Sequence, residues 1–281
     1  MDSSIHPHKN SALSEFSWDG IVPPKPAEPA KVGLFRFIYK ATRRNPSVDT
    51  FLTGFLPHLK MLPTVAAERA VPGFSTSKVN ICDLPRGQWA TPLVDTLTVI
   101  KAAKGFESKR LLEIGSYKGS TALLLAQNTD ADVRIWTLDM DPQHGEAYRG
   151  TEYEKRIHRV VGKATVGALE GHGSFDFIFV DADHDYASVF EHTVVAFRHL
   201  APGGVILWHD YHQNNYLHGA NGIGEALHMV SKKFGRNIVS IEGTTLAIYS
   251  EHLDWETASL ESYDDSPEDS DPWSDRKIRH I

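Results

Sequence analysis

The stretch FDFIFVDADHDYASVF, residues 175–190, places Asp181, Asp183, His184 and Asp185 within five positions, directly behind an apolar run. Removing a charge from water costs several kcal/mol (on the order of the transfer penalty) unless the charge is paired or bound. Such a cluster is therefore either a solvated loop or a site. A second group of the same types closes GGVILWHDY, where His209 and Asp210 follow another apolar run. Carboxylates next to imidazoles can hold a cation, and imidazole exchanges protons near neutral pH.

The elements that position these residues follow from the apolar pattern after about residue 90. Apolar bursts (RLLEIG, VRIWTLDMD, FDFIFVDA, GGVILWHDY, NIVSIEG, TLAIYS) alternate with amphipathic stretches. TPLVDTLTVIKAAKG, STALLLAQN, SVFEHTVVAFRHLA and GIGEALHMVSKKFG read as helices, GEAYRGTEYEKRIHRV as helical in part, and VVGKA as a short strand opening a loop. Alternation of this kind predicts an α/β fold, a mostly parallel seven-stranded sheet with helices on both faces. Ligands of such sheets sit beyond the carboxyl ends of the strands, where Gly115, Asp139, Asp181 and Asp210 all fall.

Three further motifs occupy that edge. Glu113, Gly115 and Gly119 form E-x-G-x-x-x-G between a strand and a helix, with Ser116 and Ser120 in the same turn. The glycines permit a tight turn and close backbone approach. The spacing is not the dinucleotide fingerprint, and no G-x-x-x-x-G-K-[ST] loop is present. An acidic residue two positions before the first glycine disfavours a diphosphate. It suits a cation such as the amino group or sulfonium of S-adenosylmethionine. Asp139, ending the next strand, can accept both ribose hydroxyls or serve as a cap. Gly162, Lys163 and Ala164 could let an adenine lie flat against the backbone.

The ordered set E-x-G-x-x-x-G, Asp139, GKA, FDFIFVDADHDY and LAPGGVILWHDY resembles the class I S-adenosylmethionine-dependent methyltransferases over residues 90–250. Within them it is similar to the small metal-dependent O-methyltransferases, the catechol-type and the antibiotic- and sugar-modifying relatives. The resemblance implies a Rossmann-like fold, with S-adenosylmethionine held by Glu113, Gly115, Ser116, Gly119, Ser120, Asp139, Gly162, Lys163, Ala164 and Asp181. It implies a divalent metal on Asp181 and Asp210, with His184 as base. The acceptor would be a hydroxylated small molecule, a sugar, phenol or natural product of secondary metabolism.

His209 stands where those relatives carry a second acid. As a ligand it would favour a transition metal over magnesium, while manganese accepts both ligand types; otherwise it faces the cofactor through hydrogen bonds. Asp183 and Asp185 read as loop or helix-cap residues, or as orienting His184. Trp89 and Trp208 read as core or as stacking residues, and His212 and His218 as exposed or as pocket lining. A metal-independent O- or N-methyltransferase, or a non-catalytic binding protein of this fold, stays open on sequence alone.

Composition sets the frame. The chain has 281 residues, net charge −7 and one cysteine, Cys82. Residues 251–281 carry ten acidic and three basic side chains, leaving 26 of each sign elsewhere. A balanced body has no broad basic footprint for nucleic acid. The polar start, the lone cysteine and the lack of a long apolar run predict a cytoplasmic protein without membrane contact. The expected organisation is a proline-rich arm over 1–30, a helical extension over 31–88 that caps the domain or pairs two subunits, a methyltransferase domain over 89–252, and an acidic disordered tail over 253–281.

Overall fold

The computed structural model describes residues 62–82, 90–211 and 222–252. The expected arm, most of the helical extension, Trp89, His212, His218 and the acidic tail lie outside these residues.

Eight strands make one sheet: β1 Thr64–Val65, β2 Arg110–Ile114, β3 Arg134–Asp139, β4 Ile157–Val161, β5 Phe175–Val180, β6 Leu200–Trp208, β7 Ile238–Ile241 and β8 Ala247–Ser250. Their spatial order is β1-β7-β8-β6-β5-β2-β3-β4. Strands β2 to β6 pair in parallel, and β8 runs antiparallel to both β6 and β7. The helices are α1 Ala67–Ala70, α2 Leu93–Gly105, α3 Ser120–Asn128, α4 Tyr186–His199 and α5 Ile223–Phe234.

The strand sequences explain the layering. Successive strand residues point to opposite faces. Leu111, Phe177, Phe179 and Leu207 pack with Val99, Ala103 and Leu125 of α2 and α3. Their neighbours Leu112, Ile114, Ile178, Val180 and Ile206 pack with Phe190, Val195 and Leu227 of α4 and α5. A sheet buried on both faces needs such near-continuous apolar strands.

Three expectations are corrected. The eighth strand, β1, lies in the stretch read as helical. Pro63 and the β-branched Thr64 and Val65 favour extended backbone, and the edge of β7 supplies its partners: Ser240 N donates to Pro63 O at 2.8 Å and Glu242 N to Val65 O at 2.9 Å. The partly helical reading of residues 145–160 narrows to a 3₁₀ turn at Glu154–Arg156, because Ile157–Val161 pairs with β3 as β4. Helix α4 stops at His199, and Leu200 and Ala201 belong to β6.

The strand order reverses between β2 and β5. The chain leaves β2 towards β3 on one side, while β5 and β6 extend on the other. The carboxyl ends of β2 and β5 therefore border a crevice, the place where open α/β sheets bind ligands.

Candidate functional site

The glycine turn after β2 forms one wall. Gly115 and Gly119 have φ of +93° and +81°, backbone that favours glycine. Gly119 caps α3, and the Tyr148 ring occupies the space a side chain there would need. A second loop lies alongside, with Gly145 N donating to Tyr117 O at 2.9 Å and Ala147 N to Lys118 O at 2.8 Å. The Tyr148 hydroxyl meets Thr137 Oγ1 at 3.1 Å, which ties this loop to β3.

Asp139 links β3 to the same turn. Its Oδ2 accepts from Ser116 N at 3.0 Å and Tyr117 N at 2.8 Å, and its Oδ1 accepts from Asp141 N at 2.9 Å. Ser120 opens α3 half-buried. Gly162 N donates to Asp139 O at 2.9 Å, so Gly162, Lys163 and Ala164 continue the edge from the end of β4. Inside β2, Glu113 is buried, and its Oε2 and the Ser116 Oγ have no hydrogen-bond partner. Burial pushes the Glu113 carboxyl well above the usual range, the nearby Asp181 and Asp139 add to this, and the Ser116 side chain opposes it. Buried polar atoms without partners are rare in folded proteins. Here they line the edge where a polar, cationic ligand would satisfy them, and the residues present fit S-adenosylmethionine.

The opposite wall carries the acidic and imidazole groups. Asp181 follows β5, and its N–H donates to Ile114 O at 2.8 Å, beside the glycine turn. His209 and Asp210 follow β6, with His209 N donating to Val180 O at 3.0 Å. Asp210 has φ of +56°, uncommon for a residue with a side chain. His184 Nε2 lies 2.9 Å from Asp210 Oδ2. His209 Nδ1 lies 3.0 Å from Asp181 Oδ1 and 3.4 Å from Asp210 Oδ2. Among the described residues, Asp181, His184 and Asp210 offer ligand atoms that all lie within 4.8 Å of one another, a group able to hold a metal ion. His209 touches two of the three but has its ring nitrogens turned to carboxylates on both sides.

The charges are mutually supporting. Burial opposes a charge on His209, but Asp181, Asp210 and Asp95 outweigh it, and the imidazole is pushed up to about 12. Burial would raise Asp210, but hydrogen bonds from His184 and His209 hold its carboxyl well below the usual range. The bond to Asp210 raises His184 against the opposing effect of burial. Asp185 is the N-cap of α4, its Oδ1 accepting from Ala187 N and Ser188 N at 3.1 Å each. Asp183 is exposed. Trp208 is buried, its indole N–H donating to Thr193 Oγ1 at 3.0 Å. A small pocket beside the cluster is lined by Val180, Asp181, Ala182, Asp183, His184, Val189, Trp208, His209 and Ile223.

Two residues of this wall are not legible in the sequence. Thr91 Oγ1 donates to Asp181 Oδ2 at 3.3 Å. Asp95, fully buried in the first turn of α2, places Oδ2 3.3 Å from His209 Nε2. An acid in the first turn of a helix ordinarily answers the helix dipole, which hides this contact in the sequence. Its one signal is that it stands in the most apolar part of TPLVDTLTVI.

Comparison with known proteins agrees with this geometry. Residues 112–211 match a family described as a methyltransferase domain. A catechol O-methyltransferase of Mycobacterium tuberculosis is 31% identical over 146 residues, which are 50% of this chain and 61% of that protein. The match thus spans less than two thirds of the relative's length. The structure of cofactor-bound Rv0187 from MTB superposes with a TM-score of 0.51 at 23% identity, over 74% of this chain and 98% of that one, and so shares the fold. The strand order, the glycine turn and the matched segment thus agree on a methyltransferase-like domain around residues 112–211, in a chain that shares the fold of that solved structure.

Proposed function

We propose that the protein transfers a methyl group from S-adenosylmethionine to a hydroxyl of a small molecule, with a divalent metal held by Asp181 and Asp210 and with His184 as base. The observation that carries this reading is the convergence of Asp181, His184 and Asp210 at the strand edge that also holds the glycine turn. The chemistry supplied by the bound groups is an electrophilic methyl on sulfur and, from the metal, a lowered acceptor pKa.

The chain's own residues do the rest. The turn at Gly115–Gly119, with Glu113 and Asp139, would bind and orient the donor. Aligning donor and acceptor for in-line displacement supplies a large part of such a rate. Asp210 holds the His184 ring through Nε2, which leaves the Nδ1 lone pair of the neutral ring to accept the hydroxyl proton. An imidazole oriented by a carboxylate is a recurrent arrangement for a general base. One observation favours a second reading: His209 Nδ1 already sits 3.0 Å from Asp181 Oδ1, so the site could act without a metal.

The test uses S-adenosylmethionine with an isotopically labelled methyl group and a panel of catechol, phenol and sugar acceptors. It runs with Mg²⁺, with Mn²⁺ and with a chelator, on wild type and His184→Ala. Label on an acceptor oxygen, lost with the chelator and reduced about 100-fold or more in His184→Ala, supports the proposal. Turnover that survives the chelator moves the second reading to the front, and label on nitrogen overturns the O-methyl assignment.

A further inference from the structure

The fully buried Asp95 has no part in the chemistry just described, and it reaches the site from the far side. Its Oδ1 accepts from Thr245 N at 2.9 Å and its Oδ2 from Thr245 Oγ1 at 2.8 Å, in the turn between β7 and β8. The same Oδ2 lies 3.3 Å from His209 Nε2, within ion-pair distance but without the alignment of a hydrogen bond. The other ring nitrogen, Nδ1, faces Asp181 and Asp210. A line of contacts therefore runs from Thr245 through Asp95 and His209 to the two candidate metal-holding carboxylates. Thr91, four residues before Asp95, touches Asp181 directly, so the start of α2 meets the site at two points.

We infer that Asp95 is a positioning residue: it fixes the His209 ring with Nε2 turned into the core and Nδ1 presented to Asp181 and Asp210. The reason is chemical. A carboxylate anchored by two donors from Thr245 has acceptor capacity left for the ring N–H. A ring nitrogen whose partner is fixed sets the direction of the other one. No other residue of α2 makes an ion pair with His209 among the described residues. Phe179 packs edge-on to the ring at 6.2 Å between centroids, which limits its tilt but does not choose between its nitrogens. The inference rests on the proposed reading only for its consequence, that metal binding depends on Asp95.

The test is nitrogen NMR of His209 in the full chain, with Mn²⁺ titration alongside, on wild type, Asp95→Asn and Thr245→Val. In Asp95→Asn the amide oxygen can keep the Thr245 N–H, which turns the NH₂ towards His209. The account predicts that the His209 ring signals differ between wild type and Asp95→Asn, because Nε2 faces a carboxylate oxygen at 3.3 Å in the one and an NH₂ group in the other. Mn²⁺ affinity should fall by about 10- to 100-fold, as for other groups behind metal ligands, with S-adenosylhomocysteine affinity unchanged. Thr245→Val should move the His209 signals in the same direction by less, which keeps the test alive if Asp95→Asn does not fold. His209 signals that stay in place in the folded variants would overturn the inference and leave Asp95 a packing residue. Absence of Mn²⁺ binding to wild type would instead sink the metal part of the proposed function, and the ring signals would still decide the role of Asp95.

Discussion

Gly115 and Asp181 are in direct backbone contact: a methyl carbon on Gly115 would collide with the Asp181 carbonyl oxygen. This closeness joins the two walls of the crevice, since Gly115 belongs to the glycine turn and Asp181 to the acidic cluster. Both the collision and the φ of +93° oppose any side chain. Gly115→Ala should cost about 2–3 kcal/mol of stability, in the range of forced backbone strain. Urea denaturation checks this, and a change within about 0.5 kcal/mol would show that the contact yields easily.

Arg156 fixes the frame from the opposite end of the sheet. Its buried guanidinium donates through Nη1 to Ala126 O at 2.7 Å, through Nη2 to Thr129 Oγ1 at 3.0 Å, and through Nε to Val133 O at 3.2 Å. These acceptors lie at the end of α3 and just before β3, where a cation also suits the helix dipole. Arg156→Met should lose on the order of 3 kcal/mol, because buried carbonyls would lose their donors. The loss should appear as a lower denaturation midpoint, with the affinity for S-adenosylhomocysteine retained in the folded fraction.

His192 sets an acid limb of stability. It is buried in α4 with Nδ1 unpartnered, and burial lowers its pKa from the ordinary value near 6.5 despite Asp183, Glu191 and Asp185 nearby. Below about pH 6.5 the unfolded chain therefore binds a proton that the folded chain resists. Stability from this group is complete above that pH and is lost as pH falls towards the folded pKa. Denaturation midpoints compared between pH 7.5 and 5 should fall less in His192→Leu than in wild type. Parallel profiles would show that another group carries the acid limb.

Much of the fold is legible because its signals are local. The runs RLLEIG, FDFIFVDA and GGVILWHDY are short, apolar and closed by acidic or glycine residues, so β2, β5 and β6 stand out together with their functional ends. The reading fails where a distant partner decides the outcome. Thr64 and Val65 become a strand only because they pair with the edge of β7, 176 positions away in sequence, and Ile157–Val161 only because β3 accepts it. The candidate site follows the same rule. His184, Asp181 and Asp210 are marked by strand ends, whereas Asp95 meets His209 across a sequence separation that no local pattern encodes. Asp185 shows the reverse, an acid inside the cluster whose hydrogen bonds all serve the start of α4.

The most direct test of the central claim is calorimetric titration of S-adenosylhomocysteine into wild type and Asp139→Ala. Asp139 accepts from Ser116 N and Tyr117 N in the glycine turn and from Asp141 N beyond β3, so its loss should disorder the turn as well as remove the proposed ribose acceptor. The account predicts binding of about micromolar strength to wild type, roughly −8 kcal/mol, weakened at least about 10-fold in the variant, or about 1.4 kcal/mol. No binding to wild type, or equal binding to both proteins, would contradict it.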